Sequence, residues 1–496
     1  MSLFLTSLVF AQNPWEDASY QDLHGYARAL SLDLRAEVLT PEELLEIESS
    51  GEVSQMMIEE WLQTEGFTEQ VIRQHQALVW NNIEAQIARR RRLATRNGIY
   101  YNPTRYNRLR GSRDCGTFEA EVNEYNQPLS VQTISETEVH EGYVMVEPYW
   151  DMENPIPVCA YDAQTTPVSA SGVDCSTEAA HTENDCGCGP NLIWCYRNNL
   201  SGVFLNAFEE EVEKRVIKML NEELSYEDFL LSPFGHMNGP MVHFFKYLAP
   251  FDSNISSPVP IEDLPDLDYT DEEWVELELP DHSAGLFSSS AWLLRHQTNR
   301  GRANRLYGGF LCREFIPVEG EIEGTTALDT PSPDLSTRAG CRDCHARLDP
   351  WAAYWGRWKE GGLVYYDAIT YPSYSAECTL CSQIGACPDY CDMYTLEPAH
   401  SSEDAYVGWF STYSFLIDGD EYNPDLGPTG WVDSLLVDES LAKCSASNAA
   451  GWLLGWEYLH NEEAIDSWAE EWSNGGLHYR DLVRLIVSSE YYWRGQ

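Results

Sequence analysis

Apolar residues recur at helical spacing over most of the chain. Residues 22–92 read as helical. Val53, Met56, Met57, Ile58, Trp61 and Leu62 return near every third or fourth position, and a second amphipathic run extends from Val71 to Ile87. Thr40-Pro41-Glu42-Glu43 predicts a helix start, with Thr as cap, Pro tolerated in the first turn, and acids facing the positive end of the helix dipole. The period returns at 204–231, with Phe204, Phe208, Val212, Val216, Met219, Leu220 and Leu224 on one face. It is seen again at 286–312, at 345–360 with many aromatics, and in two or three closing helices over 431–496. The stretches 114–200 and 366–430 lose it and gather cysteines instead. Residues 252–285 are acidic and Pro-punctuated, as in a linker or long surface loop, and 313–338 are loop-like.

The expected fold is therefore mainly α, a multi-helix protein with two irregular disulfide-rich inserts. Its parts along the chain are a signal segment (1–12), an N-terminal helical domain (13–113), a Cys-rich insert (114–200), a helical segment (201–251), an acidic linker (252–285), a module around the motif described below (286–365), a second Cys-rich insert (366–430) and a C-terminal helical domain (431–496).

Charge narrows the function classes. Eighty Asp and Glu stand against 31 Lys and Arg, a formal net charge of −49 over 496 residues. Such a surface repels phosphate backbones, which argues against nucleic-acid binding. It suits a basic partner protein, a salty medium or a surface-exposed life, with simple solubility as the alternative. No apolar run reaches the roughly 18–20 residues that span a bilayer. Leu3 to Ala11 is a short apolar stretch, and Val9-Phe10-Ala11 resembles a cleavage site before Gln12, although a positive n-region is missing; a buried N-terminal element is the alternative. Export predicts that cysteines are oxidised. Of the 14 Cys, 12 remain once one pair is set aside for the motif below. Their spacings fit no standard metal knuckle and are expected to form disulfides, with open connectivity. Nine arginines lie between Arg89 and Arg113. They could pair with propionates, or simply neutralise acids of the same protein.

Cys341-Arg342-Asp343-Cys344-His345 is a CxxCH motif. Composition alone gives about 0.01 chance occurrences in a chain of this make-up. Two thiols one turn apart reach the two vinyl groups of one haem, and the adjacent His offers its imidazole to the iron as proximal ligand. A thioredoxin-type CxxC expects a βαβ setting that the pattern lacks, and half a zinc site would need a second pair followed by His. The motif thus predicts one covalent haem c in a cytochrome c-like module. Met393 and His282 are candidate distal ligands, with His236 and Met237 as further options; each has an ordinary structural role as its alternative. Arg338 is a candidate propionate partner, or a surface ion pair. Asp418 and Asp420 sit in an oxygen-rich turn and are a candidate calcium site, with a solvated acidic turn as the alternative.

The stretch CRDCHARLDPWAAYWGRW (341–358) resembles the CxxCH…DP segment of a group of secreted bacterial haem c proteins. That group is abundant in planctomycetes and myxobacteria and is built from several conserved domains of unknown function. SLDLRAEVLTPEELLEI (31–47), SYEDFLLSPFGHMNGPM (225–241), HSAGLFSSSAWLLRHQTNRGRANRLYGGFLC (282–312), VDSLLVDESLAKCSASNAAGWLLGWE (432–457) and YRDLVRLIVSSEYY (479–492) are similar to its other blocks, in the same order. Two positions depart: Trp351-Ala352 replaces Gly-Phe, and Trp355-Gly356-Arg357-Trp358 replaces Glu-Phe-Asp. The resemblance implies a mostly helical protein of the periplasm, outer-membrane surface or extracellular space.

Three function classes follow: mono-haem electron transfer, which the motif and the acidic surface favour; a peroxidase-like haem enzyme with an open distal site; and a surface binding or structural protein with ancillary haem. No catalytic residue is assigned. No GxSxG, Walker A or GxGxxG signature supports hydrolase or nucleotide chemistry.

Overall fold

Thr40 caps α2 (Pro41–Ser50) as predicted. Its hydroxyl accepts from the Glu43 amide at 3.2 Å while the Glu43 carboxylate accepts from the Thr40 amide at 2.8 Å, closing a capping box. The computed structural model describes residues 22–85, 87–313, 335, 341–397, 406–411, 427–430, 439–455 and 462–493. These are mainly helical. The signal segment 1–12 lies outside them.

α1 (Leu23–Arg35), α2, α3 (Gln55–Trp61) and α4 (Glu65–Val79) open the described chain. The run from Val71 to Ile87 is not one helix. α4 ends at Trp80, which is left-handed at φ 55° and closes on the Gln76 carbonyl. Beyond it the chain is drawn to Glu209: Asn81 donates to that residue's carbonyl and the Ile83 amide to its carboxylate. Ile83 and Ile87 are buried all the same, so their spacing records the core and not a helical period.

The arginine island is a hairpin. β1 (Arg92–Arg96) and β2 (Ile99–Tyr101) pair around Asn97-Gly98, both at positive φ, as a two-residue hairpin loop demands. α5 (Tyr106–Leu109) is one turn, and β3 (Gln132–Thr133) with β4 (Val139–His140) forms a small separate ribbon. β5 (Tyr143–Val146), β6 (Ile156–Cys159) and β7 (Tyr196–Arg197) complete a mixed sheet of order β5-β6-β2-β1-β7. Three of the island's arginines turn inward. Arg110 donates to Glu141 and Asp162, both at 2.7 Å, and Arg105 lies 3.5 Å from Asp162. Arg91 donates to the Trp194 and Gly187 carbonyls over the Phe251 ring. Their intramolecular role prevails over the propionate alternative, because buried cations must be paired where they stand.

α6 (Leu200–Asn221) buries Phe204, Phe208, Val212, Val216, Met219 and Leu220, the face read from the sequence. α7 (Tyr226–Leu231), β8 (Phe234–Met237) and α8 (Gly239–His243) follow, then α9 (Ser290–Arg295), α10 (Asn299–Leu311), α11 (Arg342–Ala353) and α12 (Ala376–Ile384). α13 (Ser440–Leu454), α14 (Glu462–Asn474), α15 (Tyr479–Val487) and α16 (Glu490–Trp493) close the chain. A single hydrophobic core draws on all these helical stretches except α12 and the single turn α5, from Tyr26 to Tyr492. The acidic segment 252–285 is not a free linker: Leu264, Leu267, Tyr269 and Trp274 pack on that core, and β9 (Val275–Glu278) pairs antiparallel with β8. No helix among the described residues is long and apolar enough to cross a membrane.

Six disulfides form. Cys115–Cys159, Cys175–Cys186 and Cys188–Cys195 tie the first Cys-rich stretch, Cys378–Cys391 and Cys381–Cys387 the second, and Cys312–Cys444 joins α10 to α13. The second stretch has its own small core of Tyr366, Cys378, Cys381, Cys391, Tyr394 and Phe410.

Buried histidines set an acid limit. Burial holds His75 and His296 down to about 4 and His243 to about 3, from an ordinary 6.5. The unfolded chain takes up these protons below 6.5 while the fold refuses them. Stability is therefore expected to fall as pH drops from 6.5 toward 4, by up to about 1.4 kcal/mol per histidine per pH unit. Urea midpoints across that range check it; a flat profile would contradict the assignment.

Candidate haem-attachment site

The site begins with a paired foundation. Trp355 is fully buried, donates its indole N–H to the Phe287 carbonyl at 2.8 Å, and stacks on Trp292 at 6.4 Å between centroids. Trp351 meets Tyr307 of α10 edge-on at 5.8 Å. Arg357, 1% exposed, donates to the Tyr371 carbonyl and to Ser373, tying the segment that follows α11 to the second Cys-rich stretch. Of the residues that depart from the resembled pattern, Trp351 packs α11 on α10, and Trp355 and Arg357 anchor the segment that follows it.

Cys341 precedes the first turn of α11 in helical conformation, and its carbonyl accepts from the Cys344 and His345 amides at 3.2 and 3.0 Å. Cys341 and Cys344 therefore stand one turn apart. Both are half-buried, and both are free thiols, the only two among the 14 cysteines. His345 Nδ1 lies 3.0 Å from Asp349 Oδ1, at i,i+4 on the same helix. Asp349 is held by α10: Arg300 Nε and Nη2 donate to its two oxygens at 2.7 and 2.9 Å. A carboxylate only accepts, so Nδ1 is the donor in this contact and Nε2 is the nitrogen left to face a metal.

This donor set fits a haem c. It offers two uncommitted thiols at the required spacing and a fixed imidazole with one free nitrogen. Among the described residues, the other groupings close enough to hold a metal are Cys381 with Cys387 and Cys391, and Cys115 with Glu141 and Cys159, and in both the sulfurs are spent in disulfides.

The remaining sequence candidates scatter. His282 stacks flat on Tyr365, 3.7 Å between centroids and 6° between planes, with Trp358 at 5.7 Å. Met393 ends a short turn and packs on the small core of the second Cys-rich stretch. His236 is buried in β8 with Glu276 at 3.8 Å, and Met237 is core. No ring contact or ion pair of these residues involves 341–345. Arg338, Asp418 and Asp420 lie outside the described residues. Sequence reasoning missed the role of Asp349 and Arg300. The signal for the first was its i,i+4 spacing from His345; nothing in the sequence pairs Arg300 with it.

No family model, no curated protein and no solved structure matches the chain.

Proposed function

We propose that the chain carries one haem c, bonded through Cys341 and Cys344 with His345 as proximal ligand, in a cytochrome c-like module, and that it is an exported electron-transfer protein. The observation that carries this is the thiol count: twelve cysteines pair off, and the two left over are those of the CxxCH motif. A bound haem supplies a reversible one-electron iron couple. The residues around it do the rest: the cysteines fix its place, Asp349 sets the His345 tautomer, and α10 holds Asp349. Six disulfides support an oxidising compartment, the periplasm, outer-membrane surface or cell exterior. The net charge of −49 supports steering of a basic redox partner.

A pyridine haemochrome assay with intact mass on protein from its native envelope tests the proposal. One covalent haem per chain is expected, with a sharp α-band on reduction. A protein without bound porphyrin would end it. The second reading, a peroxidase-like enzyme with an open distal site, is favoured by one observation: an anionic acceptor on Nδ1 strengthens Nε2 as a donor. Carbon monoxide binding by the ferrous protein, or peroxide turnover, separates the two.

A further inference from the structure

We propose that Asp349 and Arg300 form an opposed pair that sets the reduction potential of a haem held by His345, Asp349 lowering it and Arg300 raising it; this rests on the haem reading above. His345 and Arg300 touch the same atom of Asp349. Asp349 Oδ1 takes the His345 Nδ1–H at 3.0 Å and the Arg300 Nε–H at 2.7 Å, while Oδ2 takes the second Arg300 donor at 2.9 Å. The carboxylate pulls on the imidazole proton and makes Nε2 a stronger donor, which favours ferric iron. The guanidinium competes for that oxygen and draws its charge away, which favours ferrous iron.

Burial makes the contest effective. The Asp349 side chain is 5% exposed, so water screens it little, whereas Arg300 is 37% exposed and reaches it from the rim. The two partners also come from different helices. His345 and Asp349 share α11, so their contact is built into the helix; Arg300 belongs to α10, so its grip depends on how α10 packs. Asp349 and Arg300 are positioning residues, acting on the iron only through His345.

The test uses the haem-loaded full chain and spectroelectrochemical titration. Asp349→Asn keeps the shape and removes the charge. It is expected to raise the ferrous-to-ferric ratio at a fixed poise by about tenfold, or 59 mV for a one-electron couple. Arg300→Gln is expected to move the potential the opposite way, and Arg300→Lys, which keeps a charge without the fork, to fall between Arg300→Gln and the parent. Opposite signs cannot come from general loosening of the site. Should Asp349→Asn fail to fold, the sign of Arg300→Gln decides alone. Shifts of the same sign, or an Arg300→Gln ratio within about twofold of the parent, overturn the pair. A parent chain lacking covalent haem overturns the functional reading and this inference together; loaded variants with unmoved potentials overturn this inference only.

Discussion

Replacing Cys341 and Cys344 together with alanine is expected to abolish covalent haem while leaving the fold of the haem-free chain intact. Neither sulfur contributes to the buried core, and Cys341 makes no side-chain cap to α11. Substitutions at such positions cost within about 0.5 kcal/mol. Acid–acetone extraction followed by intact mass should show parent protein retaining its porphyrin and the variant none. Unfolding midpoints of the two haem-free chains should agree. A variant that collapses would show instead that the two sulfurs are structural, and a parent mass with no porphyrin adduct would remove the basis for the cytochrome assignment.

The second large effect concerns Cys312–Cys444. This bond closes a sequence separation of 132 residues, far longer than the other five. Cross-linking a loop of that length restrains the unfolded chain by about 5 kcal/mol at room temperature. Within the loop lie the CxxCH motif and the whole second Cys-rich stretch. Cys312 is also the left-handed cap of α10, at φ 51°, and Cys444 is buried in α13. A Cys312→Ala/Cys444→Ala variant is expected to unfold at markedly lower denaturant, and to take up the proposed haem less stoichiometrically, because the helix carrying Arg300 is no longer tethered. A midpoint unchanged within the equivalent of about 1 kcal/mol would mean that helix packing alone holds the loop.

Much of this is legible in the sequence. The face of α6, the Thr40 cap and the leftover cysteine pair follow from residue spacing and from counting. The misreadings have physical causes. Ile83 and Ile87 kept a helical rhythm because they are buried, although Trp80 had already stopped the helix. The hairpin at Asn97-Gly98 was hidden behind the arginines around it, even though that dipeptide is a strong turn signal. The Arg300–Asp349 contact joins residues 49 apart, and only the packing of α10 on α11 could reveal it. His282 and Met393 are candidates by residue type, which says nothing of the ring stack and the small core that hold them.

The inward-facing arginines reshape the electrostatic exterior. Arg91, Arg302 and Arg357 spend their guanidinium groups chiefly on main-chain carbonyls. Arg215 does the same, holding the carbonyls of Phe229, Ser232 and Phe234. From a chain with only 31 basic residues, these charges are withdrawn from the water-facing layer. Among the described residues the buried arginines outnumber the buried acids Glu141, Asp162, Glu211 and Asp349, which leaves the water-facing layer more anionic than composition alone suggests. Like-charged copies then hold one another apart, and dissolved cations condense on each of them, so encounters depend on ionic strength.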